Sequence, residues 1–97
     1  MSVPFDHKVK ATDDTLINVI GGESVLLNLN NESYYGLDEV GTRMWTVLTN
    51  AASIQTAYES LLNEYDVAPE VLRCDLTDLL EKLAAQGLVE IGDEQVA

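Results

Sequence analysis

The sequence has a single cysteine, two prolines and no long apolar run. With only Cys74 present, an internal disulfide is excluded, as is usual for proteins of reducing compartments. No segment approaches the roughly 20 apolar residues that cross a bilayer. The first residues also lack the basic and apolar regions of a signal peptide. We therefore expect a cytoplasmic protein without a membrane segment.

Basic residues are scarce as well. Five Lys and Arg stand against 17 Asp and Glu in 97 residues, which gives a formal net charge of −12. Such a surface repels nucleic-acid phosphates, and it either favours a basic partner or simply aids solubility. The hydrophobic content of 46% is that of a globular protein, and the length suits one compact domain.

Residues that usually carry catalysis are few and isolated. His7 lies near the N-terminus and Cys74 on a predicted helix, without a second His or Cys for a nucleophile–base pair or a metal site. The glycines match no phosphate-binding loop, and the acidic residues match no EF-hand loop. We predict no catalytic residue, no metal and no cofactor.

The first half of the chain shows the pattern of short strands. Residues 16–20 are apolar and β-branched, and Gly21-Gly22 suits a tight hairpin turn. Residues 24–29 are predicted to form the second strand of this hairpin. A turn at 30–32, rich in Asn, then leads to a third strand at 33–37. The pattern predicts an antiparallel meander of three strands.

The second half of the chain has helical periodicity. The first helix is predicted over 39–49, with Asp38 as its cap. Ser53 caps the second helix, and Pro69 begins the third, which ends before Gly87. The apolar stripe of the second helix comprises Ile54, Ala57, Tyr58, Leu61, Leu62 and Tyr65. The stripe of the third comprises Leu72, Leu76, Leu79, Leu80 and Leu83.

These elements predict an α+β fold, in which a three-stranded antiparallel sheet packs on a three-helix bundle as in a winged helix-turn-helix. We assign residues 1–14 to a flexible N-terminal arm that ends in a poor strand, 15–91 to the domain and 92–97 to a frayed C-terminus. A short last strand is predicted at 88–91. A DNA-binding winged helix needs a basic recognition helix, which this acidic third helix does not supply. A winged-helix regulatory or protein-interaction domain stays open as the alternative function.

The third strand carries no residue that would prevent another strand from pairing with it. Residues 33–37 contain neither Lys nor Pro, the usual means of blocking an edge. An extended peptide could add there as a fourth strand, with a neighbouring helix supplying side-chain pockets. Alternatively, Tyr34 and Tyr35 pack into the core, or the N-terminal arm covers the edge.

The junction between this strand and the first helix resembles a known family. The run Tyr35-Gly36-Leu37-Asp38-x-x-Gly41-x-x-x-Trp is similar to the aromatic-Gly-Leu-Asn-x-x-Gly-x-x-x-Trp pattern of the PqqD family. The likeness continues through the segment 64–70, at Asp75, Leu79 and Leu80, and through the segment 83–89. Asp replaces the commoner Asn at the cap, where it serves equally well. Ala68 stands where an Asp cap is common, which predicts a weaker start for the third helix.

The resemblance implies a recognition element for the leader segments of ribosomally synthesised, post-translationally modified peptides. In that family the leader pairs antiparallel with the third strand and lies in a cleft against the third helix. The implied peptide-binding residues are Glu32, Ser33, Tyr34, Tyr35 and Gly36 on the strand, and Val71, Leu72, Asp75, Leu76 and Leu79 on the helix.

The resemblance also implies partners. The first is a precursor leader peptide, which the acidic balance of the chain predicts to bear lysine. The second is an enzyme: a leader peptidase or cyclase in lasso-peptide biosynthesis, or a radical enzyme in pyrroloquinoline quinone synthesis. The length and acidity of the chain favour the lasso type. Neither a nucleic acid nor a membrane is expected as a partner.

Overall fold

The structure, a computed structural model, describes residues 3–92. The elements in chain order are β1 (Lys8–Ala11), β2 (Thr15–Ile20), β3 (Glu23–Asn28), β4 (Tyr34–Leu37), α1 (Glu39–Asn50), α2 (Ile54–Glu64), α3 (Pro69–Ala85) and β5 (Val89–Gly92). The predicted α+β fold is confirmed: β2, β3 and β4 form the antiparallel three-stranded sheet, followed by the three helices. In the described part of the chain no helix is long and apolar enough to span a bilayer.

The meander follows from its turn residues. Gly21 and Gly22 both have positive φ, at 62° and 89°, which glycine adopts without strain in a two-residue hairpin turn. The next turn is organised by the buried side chain of Asn28, whose Oδ1 accepts from the backbone N–H of Asn30 at 2.9 Å. The Asn28 amide nitrogen donates to the C=O of Gly87 at 3.0 Å. This side chain therefore fastens the β3–β4 turn to the end of α3.

The predicted helix caps occur as expected. Asp38 accepts a hydrogen bond from the N–H of Gly41 at 2.8 Å, and Ser53 accepts one from the N–H of Thr56 at 3.1 Å. Each bond satisfies one of the free amides of the first helical turn. At the start of α3, Ala68 gives no side-chain cap, and the helix begins with proline. The direction in which α1 leaves β4 is thus fixed by a cap directly at the junction.

The N-terminal segment departs from the predicted flexible arm. Phe5 and Val9 are buried in the core, and β1 pairs antiparallel with β5. The C=O groups of Phe5 and His7 accept from the first amides of α2, Gln55 at 2.7 Å and Ile54 at 2.8 Å. Residues 5–11 are therefore an integral part of the fold, because they satisfy helix donors and cover apolar surface.

The predicted last strand is present as β5. It extends to Gly92, one residue into the segment predicted to fray, and it pairs with β1 in a separate two-stranded sheet. Residues 93–97, the remainder of the predicted frayed terminus, lie outside the described residues. The first two residues of the predicted arm lie outside them as well.

One core joins the sheet to the helices. Its fully buried side chains come from β1, the inner face of β3, the facing sides of the helices and the chain after α3. They are Val9, Leu26, Leu48, Ile54, Ala57, Leu61, Leu76, Leu80, Leu83 and Leu88. Burial of this apolar surface is the main favourable contribution to folding. It also holds β4, α1 and α3 at fixed positions around the candidate site.

Candidate functional site

The outer edge of β4 has no strand partner within residues 3–92. The strand order of the sheet is β2-β3-β4, so β4 pairs on one side only. The N-terminal segment, which could have covered this edge, pairs with β5 at another place. An edge strand that is neither covered nor blocked offers its backbone groups to another chain. We call this free side the β4 edge.

The strand register decides which backbone groups face outward. The N–H of Asn28 donates to the C=O of Ser33 at 2.8 Å, which fixes the phase of the β3–β4 ladder. Opposite residues in an antiparallel pair alternate between bonded and non-bonded positions. Tyr35 is consequently bonded to β3, whereas Tyr34 and Gly36 turn their N–H and C=O groups to the β4 edge. The edge thus offers two donors and two acceptors at the spacing of an incoming strand.

A groove runs beside this edge, between β4, α1 and α3. Its volume is about 280 Å³. It is lined by Tyr35, Asp38, Val40, Gly41, Met44, Asp75, Asp78, Leu79 and Lys82. Met44 and Leu79 are largely buried and form its apolar floor, while Val40 stands exposed at its margin. We call this feature the β4–α3 groove.

Acidic groups dominate the rim of the groove. Asp38, Asp75 and Asp78 are exposed there, against a single cation, Lys82. One oxygen of Asp38 accepts from the Gly41 amide, so this residue also serves as the cap of α1. The net negative charge attracts a basic ligand. It also makes this flank of α3 unsuited to a nucleic-acid phosphate backbone.

Two other cations of the chain are engaged away from the groove. Arg43 donates to both carboxyl oxygens of Glu64, at 2.9 and 2.6 Å. This hydrogen-bonded pair lowers the pKa of Glu64 and raises the pKa of Arg43. The guanidinium of Arg73 lies 4.1 Å from the centre of the Phe5 ring, in a cation–π contact. Neither cation offsets the acidic charge of the groove.

The strand residues implied by the resemblance divide into two groups. Tyr34, Tyr35 and Gly36 lie on β4 itself. Glu32 and Ser33 belong to the preceding turn: Glu32 has a positive φ of 61°, and the Ser33 hydroxyl donates to Asn31 Oδ1 at 2.6 Å. The strand is therefore shorter than predicted, and its outward backbone groups begin at Tyr34.

The implied helix residues divide as well. Leu72 and Leu76 are buried in the core beneath the groove, so their side chains offer no surface to a peptide in this structure. Leu79 reaches the groove floor. Asp75 lines the groove, and Val71 is exposed one turn before it on the same side of α3. This division arises because the leucine stripe of α3 packs into the core, so that only residues on the flank of the helix can line the groove.

The groove also contains residues that the sequence did not assign to a site. Val40, Gly41 and Met44 come from α1, and Asp78 and Lys82 from α3. The spacing of Asp75, Asp78 and Lys82 places them on one helix face, which was a usable signal. The contribution of α1 had no such signal, because it depends on the angle at which α1 packs against α3.

Groups suited to catalysis are not brought together. Within residues 3–92 no cluster of three or more His, Cys, Asp or Glu side chains could hold a metal ion. Cys74 is exposed on α3, and the His7 ring forms a hydrogen bond with the neighbouring Asp6 carboxylate, at 3.0 Å from Nδ1. The arrangement offers backbone pairing, apolar contact and negative charge, which are means of binding.

Comparison with known proteins gives three findings. The model of the family described as "Coenzyme PQQ synthesis protein D (PqqD)" matches residues 23–89, which run from the start of β3 to the start of β5. A search of curated proteins finds no match. Two solved structures are similar over most of the chain.

The first of these structures is TbiB1 in complex with the TbiA(beta) leader peptide. It is 32% identical, with a TM-score of 0.74 over 91% of this chain and 98% of that chain. The second is lasso peptide synthetase B1 complexed with the leader peptide. It is 16% identical, with a TM-score of 0.73 over 86% of this chain and 98% of that chain. At that identity the second likeness supports the fold alone.

Proposed function

The chain belongs to the PqqD family, and we propose that it binds the leader segment of a ribosomally synthesised precursor peptide as an added strand on the β4 edge. The observation that carries the proposal is the outward orientation of Tyr34 and Gly36 directly beside the β4–α3 groove. The similar TbiB1 structure contains a leader peptide, which supports the same class of ligand for this chain.

Backbone and side chains would have separate tasks in this complex. Pairing with Tyr34 and Gly36 supplies affinity that does not depend on the leader's sequence. Side chains of the leader alternate between two faces, so every second one is directed at the groove. An apolar side chain fits against Met44 and Leu79. A lysine near it would be attracted by the acidic rim, which favours the lysine-bearing leader of the lasso type over the pyrroloquinoline quinone type.

Binding the leader would be the entire role of this domain, which would carry out no reaction itself. A leader fixed on this domain raises the local concentration of the rest of the precursor at the enzyme that modifies it or removes the leader. The role is that of a non-enzymatic adaptor, with the enzyme as its second partner. Affinity then needs to be moderate, since the precursor must be released after processing.

A fluorescence anisotropy titration tests the proposal. We expect the labelled leader from the precursor gene beside this one to bind with a dissociation constant on the order of a micromolar, given few anchors. The affinity falls as salt increases, since the acidic rim is exposed to screening. A scrambled leader of the same composition is the control. Equal binding of both peptides, or none by either, contradicts the proposal.

The acidic rim should contribute measurably to this affinity. Replacing Asp75 and Asp78 together with Asn removes two charges from the groove, and we expect about tenfold weaker binding at low salt. The salt dependence of binding should become shallower. The matched control replaces Asp13 and Asp14 with Asn, which changes the net charge equally at exposed positions outside the groove. If both pairs weaken binding alike, overall charge is responsible and the rim has no specific role.

A further inference from the structure

The strand at the opposite side of the sheet carries an unusual set of exposed aliphatic side chains. On β2, the exposed fractions are 53% for Leu16, 37% for Ile17, 55% for Val19 and 74% for Ile20. Clustered exposed apolar side chains of this kind mark interaction sites in soluble proteins. We call these four residues the β2 strip.

The β2 strip is apolar on both faces, and within residues 3–92 no strand pairs with its outer edge. Side chains alternate along a strand, so Leu16 and Ile20 lie on one face and Ile17 and Val19 on the other. The backbone groups of Asn28, and of every second residue of β3 before it, point to β4 and not to β2. Ile17 and Val19 lie opposite such residues and therefore form no backbone hydrogen bonds with β3. Their backbone groups therefore point outward. Neither a charge nor a proline interrupts residues 15–20, so the edge is not blocked.

The surroundings of the β2 strip are acidic at both ends. Asp13 and Asp14 precede it, and Glu23 follows the turn. Glu39 places a further carboxylate beside the turn, because its Oε2 would lie only 3.2 Å from a Cβ atom added to Gly22. None of these positions is basic. A partner that covers the strip therefore gains from positive charge at both ends of its own contact surface.

The same charges disfavour a second copy of this chain. A symmetric antiparallel pair of β2 strands would bring the start of one strand to the turn of the other. Asp13 and Asp14 of one copy would then face Glu23 of the other, with no cation between them. Like charges brought close together repel each other, which disfavours this arrangement.

We propose that the β2 strip is the docking site of a partner protein, which adds an apolar strand flanked by lysine or arginine to the edge of β2. The site is separate from the β4 edge and does not depend on leader binding. Ile20, Val25 and Gly36 line a shallow cavity of about 480 Å³ that extends across the sheet from β2 to β4. A protein docked on β2 would consequently lie next to whatever occupies the β4 edge.

Two synthetic peptides of alternating valine and threonine serve as probes, one flanked by paired lysines and one by paired glutamates. Titrated into the ¹⁵N-labelled chain, the lysine-flanked peptide is expected to shift the amide resonances of Ile17 and Val19. The glutamate-flanked peptide should bind at least about tenfold more weakly. Val19→Lys and Ile20→Lys should each weaken the binding of the lysine-flanked peptide by a similar factor. Leu29→Lys, at an exposed leucine outside the strip, should weaken it less.

Three results would overturn the proposal. The first is equal binding of both probes, or binding of neither. The second is a set of shifts confined to Tyr34 and Gly36, which would make the β4 edge the general acceptor of strands. The third is a concentration-dependent dimer in sedimentation velocity that Val19→Lys abolishes, which would identify a second copy as the occupant. Normal leader binding by Val19→Lys, measured by anisotropy, keeps this test independent of the proposed function.

Discussion

Replacing Tyr34 with proline is expected to weaken leader binding by at least about tenfold while leaving the domain folded. Proline has no N–H, and the N–H of Tyr34 points to the β4 edge instead of to β3. The substitution therefore removes a donor for the leader without removing a bond of the existing sheet. Proline is tolerated on edge strands for this reason. Anisotropy measures the affinity, and circular dichroism with urea unfolding confirms the fold.

Two matched variants separate the causes. Tyr34→Ala removes the same exposed side chain but keeps the N–H, so it should bind nearly as well as the natural chain. Val19→Pro removes an outward N–H from the opposite edge of the sheet and should leave leader binding unchanged. A folded Tyr34→Pro variant with normal affinity would show that no strand adds at the β4 edge.

Replacing Leu76 with alanine is expected to lower the free energy of unfolding by about 2–5 kcal/mol. Leu76 is fully buried where α3 meets the core, and truncation leaves a cavity there. The loss is a large share of the roughly 5–15 kcal/mol that stabilises a domain of ordinary size. Val71→Ala, at an exposed position on the same helix, should change the stability by less than about 0.5 kcal/mol. Urea unfolding gives both free energies, provided that the dependence of the unfolding free energy on urea concentration is the same for each variant.

Leu76→Ala also tests the division of α3 into a face that packs in the core and a flank that lines the groove. Leu76 is a peptide-contact candidate by resemblance, whereas its burial makes it a core residue. Under conditions where Leu76→Ala remains folded, leader affinity should therefore be close to that of the natural chain. A variant with unchanged stability and strongly reduced leader affinity would reverse the assignment and place Leu76 in direct contact with the peptide.

Local signals carried most of the fold. The Gly-Gly turn and the capping residues Asp38 and Ser53 each act within a few residues. Such interactions can be predicted from sequence because both partners are close together in the chain. The resemblance at the β4–α1 junction agreed with these signals. Family membership is confirmed by the match over residues 23–89.

The pairing of the N-terminal strand could not be predicted in the same way. β1 has four residues, its one fully buried side chain is Val9, and it pairs with β5 at the other end of the chain. The alternation Lys-Val-Lys-Ala spans only four residues, which makes it a weak strand signal, and a pairing over such a sequence distance leaves no local trace. The segment consequently had the appearance of a loose arm, although Phe5 is buried in the core.

The candidate site was predicted in part for a related reason. The edge strand is a property of sheet order, so residues 33–37 could be proposed as a free edge from the meander alone. The outward orientation of the Tyr34 and Gly36 backbone groups depends on the strand register, which the sequence did not give. On α3, by contrast, apolar periodicity marks the face that packs inward. Leu76 belongs to that face, while Asp75 and Asp78 on the flank line the groove. Which flank becomes a groove depends on helix packing, and sequence spacing does not specify it.

Amide hydrogen exchange, resolved by residue with NMR, measures strand addition directly. With saturating leader, exchange at Tyr34 and Gly36 should slow by at least about tenfold, because their N–H groups enter hydrogen bonds with the added strand. Exchange at Ile17 and Val19, the outward amides of the opposite edge, should not change. If Tyr34 and Gly36 exchange equally fast with and without bound leader, the peptide does not pair with β4, and the proposed mode of recognition is wrong.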